Sequence, residues 1–143
     1  MTVKTYNPKG VVVTAFGKTI EGFVDGTFVK VARATESFTK QVGVGGEVTR
    51  SYSNDKSGEV TLTLMQTSDS NDILSAAAAA DEASPGTGAG IGTFQLKDLN
   101  GRTLAHGDEC WVRKPADVEN AKESGQREWV LDVARLEMTV GGN

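Results

Sequence analysis

The stretch Glu59-Val60-Thr61-Leu62-Thr63-Leu64 decides the fold class. In an extended chain Val60, Leu62 and Leu64 point one way, and Glu59, Thr61 and Thr63 the other. Period-two alternation marks a strand with one buried and one wetted face. Burying the three apolar side chains contributes roughly 1.5–3 kcal/mol each before entropy is subtracted. Threonine, β-branched yet polar, suits the outer face.

Outward from this strand, turn signals separate further alternating runs. Asp25-Gly26 lies between Ile20–Val24 and Thr27–Arg33, and Asn100-Gly101 between Gly92–Leu99 and Arg102–Val112. Both dipeptides supply the positive φ angles of a type I′ hairpin turn. A longer hairpin is predicted between Phe38–Val44 and Val48–Ser53, linked through Gly45-Gly46. The last strand carries apolar residues at odd positions (Trp129, Leu131, Val133) and then at even ones (Leu136, Met138, Val140). The face therefore switches near Ala134-Arg135. Either a β-bulge there flips the alternation, or the strand passes into a second buried environment such as a neighbouring subunit.

One helix is predicted over Asn71–Glu82, with Ile73, Leu74, Ala77 and Ala80 near one face. Thr67-Ser68-Asp69-Ser70 offers N-cap oxygens ahead of it. The glycine-rich stretch Pro85–Gly92 ends it in a flexible loop, and Pro115–Glu119 allows a second short helical turn. Antiparallel neighbours joined by short turns imply a sandwich or barrel with one helix outside.

Composition bounds the rest. At 143 residues the chain fits a single domain. Aromatics are 6% and Gly numbers 17, so the core is modest and copies of the chain are expected to complete its burial. A net charge of −4 argues against tight nucleic-acid binding, which draws its affinity from phosphate contacts. The lone Cys110 forms no internal disulfide. Neither a signal-peptide run nor an apolar stretch of membrane-spanning length is found. The sequence reads as a soluble protein made in a cytoplasm.

Catalytic readings fail one by one. The glycines of Gly86–Gly92 follow a helix and precede a strand, the reverse of a phosphate-binding loop. On a regular strand His106, Asp108 and Cys110 share a face, but zinc needs three or four converging ligands. A serine or cysteine nucleophile needs a base, and His106 is the sole histidine. No catalytic, cofactor-binding or metal residue is assigned. Lys30, Arg33, Lys40, Arg50 and Lys56 form a locally basic region, interrupted by Glu36, Glu47 and Asp55. It is either a solvated mixed-charge surface or an interface whose charges set register between copies.

Three stretches carry a family resemblance: Phe38–Ser51, Asp55–Asp72, and Glu128–Asp132 with Arg135. In this order they resemble the small tail tube proteins of contractile-tailed bacteriophages, over about Val11 to Val140. The resemblance implies a mainly β fold: an antiparallel β-sandwich or barrel with one flanking α-helix and a long protruding hairpin. It implies hexameric rings, stacked as a hollow tube inside a sheath, with baseplate and terminator proteins as further partners. DNA would pass through the lumen without specific binding on its way into the host, and the protein would reside in the virion tail. The hairpin from Lys40 to Lys56 resembles the family loop that reaches an adjacent ring. Val42, Val44, Val48 and Tyr52 are its apolar candidates, with Lys40, Arg50 and Lys56 as charged ones. Six copies would carry six times −4, or −24, which suits passage of DNA without adhesion. The tube of a tailocin or type VI secretion machine is the nearest alternative, and a monomeric β-sandwich binding module is the rival from another class.

Overall fold

The computed structural model describes residues 2–142. It is mainly β, with ten strands in two antiparallel sheets and one α-helix among the described residues. The strands are β1 (Val11–Ala15), β2 (Lys18–Ile20), β3 (Val29–Arg33), β4 (Phe38–Val42), β5 (Val48–Tyr52) and β6 (Gly58–Met65). After helix α1 (Ser70–Ala83) come β7 (Gly92–Asp98), β8 (Leu104–Lys114), β9 (Gln126–Val133) and β10 (Glu137–Thr139).

The large sheet runs β2-β1-β7-β8-β9-β6-β3, with β10 also on β8. Its two ends, β2 and β3, are consecutive in the chain, and their link hydrogen-bonds to β6. Met65 N–H donates to Gly22 O (2.8 Å), Val24 N–H to Thr63 O (3.2 Å), and Thr63 N–H to Phe28 O (3.0 Å). Residues 22–33 thus follow one edge of β6 while β2 pairs with β1, and the sheet closes into a barrel. Closure removes most free edges. Asp25-Gly26 is accordingly not a hairpin turn. It loops out of this continuous path, because β6 offers both flanking segments the same edge.

The two-residue turn the sequence reading missed is Phe16-Gly17, between β1 and β2. Both residues have positive φ, 55° and 78°, as a type I′ turn requires. Phenylalanine resists that conformation by roughly 1–2 kcal/mol. Its ring is partly buried against the core and lies over Gly92, where any side chain would overlap it. Asn100-Gly101 does join β7 to β8, but through a five-residue loop without positive φ at either residue. Asn100 is instead a tether: its Nδ2 donates to Asn7 O (2.7 Å), and its Oδ1 accepts from Asn7 N–H (3.2 Å).

Val60, Leu62 and Leu64 are fully buried, as the alternation predicts, but Thr63, expected on the wetted face, is buried too, where the segment through Val24 and Phe28 pairs with it. The three apolar residues join Val13, Phe94, Leu131 and Val133 in one core, which Leu74 and Ala78 of α1 also enter. The helix lies against β8 and β2. Ala80, predicted on the apolar face, is exposed. Pro115–Glu119 forms no helical turn; it is irregular chain between β8 and β9.

The face switch near Ala134-Arg135 has a partner. On β8, Ala105 and Gly107 are buried at odd positions, then Cys110 and Val112 at even ones. On the neighbouring path Val133 is buried, then Leu136. Pairing Cys110 with Val133 and His106 with Glu137 keeps one register through the switch, so the two strands turn a corner together. Against β7 the switch is a bulge in β8, where Asp108 and Glu109 lie opposite the single Thr93, and no neighbouring subunit is needed to explain it. Glycine makes room on both sides: Leu136 packs over Gly58, and Val133 over Gly107.

Candidate functional site

The β4–β5 hairpin stands apart as its own two-stranded sheet, exposed along both strands. Its register pairs Phe38 with Tyr52, Lys40 with Arg50, and Val42 with Val48. Directly opposed residues share a face, so these six side chains lie together. The other face carries Thr39, Gln41, Thr49 and Ser51. The result is an apolar rung at the tip, a cationic rung in the middle and an aromatic rung at the base.

Contacts within the face set its order. The Phe38 and Tyr52 rings are 5.2 Å apart, tilted by 50°. Arg50 lies over the Phe38 ring, its Cζ 4.1 Å from the centroid, and Lys56 Nζ lies 5.0 Å from the centre of Tyr52. These are cation–π distances. A hydrogen bond from Lys56 holds the Tyr52 phenol below its ordinary pKa, outweighing desolvation, and the charges of Lys56, Arg33 and Arg135 act the same way. At the tip Gly46 has φ of 89°, and Gly43 N–H donates to Glu47 O (2.8 Å). This closes a five-residue loop, so Val44 projects from the tip, fully exposed, rather than ending a strand.

The sequence-predicted Lys40, Val42, Val48, Arg50 and Tyr52 therefore share one face, Lys56 reaches it through the Tyr52 ring, and Val44 crowns it. Phe38 was missed. Its even parity with Lys40 and Val42 was the available signal.

The ligand trio His106, Asp108 and Cys110 does not converge. Because β8 switches face, Cys110 points into the core while Asp108 is exposed. His106 Nε2 lies 3.5 Å from Glu137 Oε2 instead. Burial pushes the Cys110 thiol up to about 12, the behaviour of an inert core cysteine. No group of three or more His, Cys, Asp or Glu fit to hold a metal occurs among the described residues.

Residues 14–141 match the model of the family described as Bacteriophage PhiTE tail tube protein. The chain belongs to this tail tube protein family. Its members are structural subunits of phage tails, not enzymes. The chain is also 28% identical to "Structural protein ORF10" of Pseudomonas phage KPP10, over 97% of its own length and 83% of the relative's. Two cryo-EM structures share the fold at lower identity. One is the tube-terminating cap of the anti-feeding prophage, with a TM-score of 0.61 at 7% identity, covering 97% of this chain and 93% of that one. The other is the sheath/tube terminator of an extracellular contractile injection system, PVC, in its extended state. Its TM-score is 0.57 at 10% identity, over 98% and 100% of the two chains.

Proposed function

We propose that this tail tube protein assembles into hexameric rings that stack as the inner tube of a contractile phage tail and conduct DNA into the host. The observation that carries the reading is the β4–β5 hairpin. It projects an ordered apolar, cationic and aromatic face that the core of its own chain does not use. Such a face gains its burial in contact with another subunit, and Lys40, Val42, Val44, Val48, Arg50, Tyr52 and Lys56, with Phe38, are the contact residues between rings. A permanent interface of this kind buries more than about 2,000 Å². Ring closure satisfies each copy's contacts by symmetry. The sheath, baseplate and terminator proteins are its further partners, and assembly takes place in the host cytoplasm.

A second reading has its own support. The two solved structures described above are a terminator and a cap of contractile injection machines, and a terminator forms a ring that ends a tube instead of extending it. Light scattering with negative-stain microscopy of the purified chain separates the outcomes. Hollow tubes support the tube subunit, and single rings that do not lengthen support the terminator. A monomer at every concentration and salt supports neither and favours a β-barrel binding module.

A further inference from the structure

We propose that the groove between α1 and the Pro85–Gly92 segment is the socket that receives the β4–β5 hairpin of a second copy; this rests on the assembly reading above. The groove has a volume of about 620 Å³, with Ile73, Ala76 and Ala77 of α1 on one side and Phe16 and Ile91 on the other. It is apolar yet open: Ile91 is 45% exposed.

Its shape follows from small residues. A side chain on the buried Gly90 would overlap Asp81 and come within 2.6 Å of Ala77 O, so glycine lets the loop lie flat on the helix. Thr87 Oγ1 donates to Ser84 O (2.9 Å) and Ile91 N–H to Gly88 O (3.1 Å), which folds the loop back along α1. The loop is therefore one wall of a groove, not the free linker its composition suggests.

Charge selects the occupant. Between Lys56 and Lys97 the chain holds Glu59, Asp69, Asp72, Asp81 and Glu82 and no Lys, Arg or His. Asp72 lines the groove, Asp81 stands beside Gly90, and Lys18 is the one cation among the lining residues. The hairpin face has the opposite character: Lys40 and Arg50 form a rung with no carboxylate among the six paired residues. The valine rung Val42/Val48 lies two residues nearer the tip, about 6.6 Å along the strand. Valines on the apolar floor would thus bring both cations level with the acidic rim. Complementary charge of this kind fixes register as well as partner.

Mixed-cysteine oxidation tests the socket. In the full chain Val44→Cys and Ala76→Cys are made separately; both positions are exposed, and the native Cys110 is buried. Oxidising the two variants together gives a disulfide-linked dimer absent from either alone. As a second measurement, Asp72→Lys shortens tubes at least about tenfold and Arg50→Glu in the same chain restores length. Tubes that form, depend on Arg50, yet give neither the mixed dimer nor the charge rescue overturn the socket and leave the assembly reading standing. A chain that stays monomeric under all conditions overturns both.

Discussion

Arg50 holds its guanidinium carbon 4.1 Å from the centroid of the Phe38 ring, across a hairpin whose two five-residue strands are exposed throughout. An exposed cation–π contact is worth about 0.5–1 kcal/mol, and a lone two-stranded hairpin is marginal in water. The contact therefore orders the face without anchoring the fold. Phe38→Ala or Arg50→Ala should leave thermal unfolding of the monomer within about 1 kcal/mol of the parent, while tube length measured by microscopy collapses. Tubes of unchanged length would remove the hairpin from the axial contact.

A second expectation comes from the corner of the barrel. Gly58 lies under Leu136, and a methyl group there would also stand 3.0 Å from the backbone oxygen of Ala32. Backbone cannot move aside as a flexible side chain does. Gly58→Ala should cost about 1–3 kcal/mol through overpacking, and Leu136→Ala about 2–5 kcal/mol through the cavity it leaves. The double variant should cost less than the two together, because the new methyl occupies part of the cavity. Strict additivity in urea unfolding would show that the two sites do not share space.

The corner also shows what the sequence could convey. Alternation in Glu59–Leu64 and Trp129–Val133 foretold the buried apolar residues, because burial in the core dominates the pattern, but not the burial of Thr63, which the chain following β6 from β2 to β3 covers. The switch at Ala134-Arg135 was visible, but its cause lay across the sheet in β8, where Gly107 and Cys110 change faces in step. Periodicity within one segment carries no information about its partner's register. Asp25-Gly26 misled for the same reason: its local turn propensity is real, yet β6 offers an edge to both flanks. Phe16-Gly17 was hidden because its strained residue is held by a tertiary contact with Gly92. The hairpin face was nearly complete in the sequence, since two strands joined by a short loop fix each other's parity.

A third expectation concerns Cys110. Its thiol is buried and pushed up from 9.0 to about 12 by desolvation. The raised native value means that the unfolded chain gives up this proton first. Stability from the neutral thiol is therefore complete below about pH 9 and declines as pH rises from there toward about 12. A thiol reagent at pH 8 should label the chain only after denaturant is added. Cys110→Ser, which places a hydroxyl among apolar neighbours, should destabilise, whereas Cys110→Ala should flatten the alkaline decline specific to the thiol. Rapid labelling of the native chain would contradict the buried placement.

The last expectation tests how the helix that forms the proposed socket is held. Trp129 Nε1 donates to Asn71 Oδ1 at 2.9 Å, and Asn71 Nδ2 donates to the carbonyls of Met65 and Ser68, each at 3.0 Å. One side chain thus ties the first turn of α1 both to β9 and to the turn that precedes the helix. With Trp129 only 4% exposed, Asn71→Ala strands its N–H without a partner. An orphaned buried donor costs about 1–3 kcal/mol, more than the net worth of the bond itself. Trp129→Phe removes that donor, so Asn71→Ala should cost less in the Trp129→Phe background than in the parent, with a coupling of about 1 kcal/mol or more. Equal costs in the two backgrounds would mean that this bond does not fasten the helix. Tube formation should weaken with Asn71→Ala even where the monomer stays folded, because a loosened first turn displaces Asp72 and Ile73 from the wall of the groove.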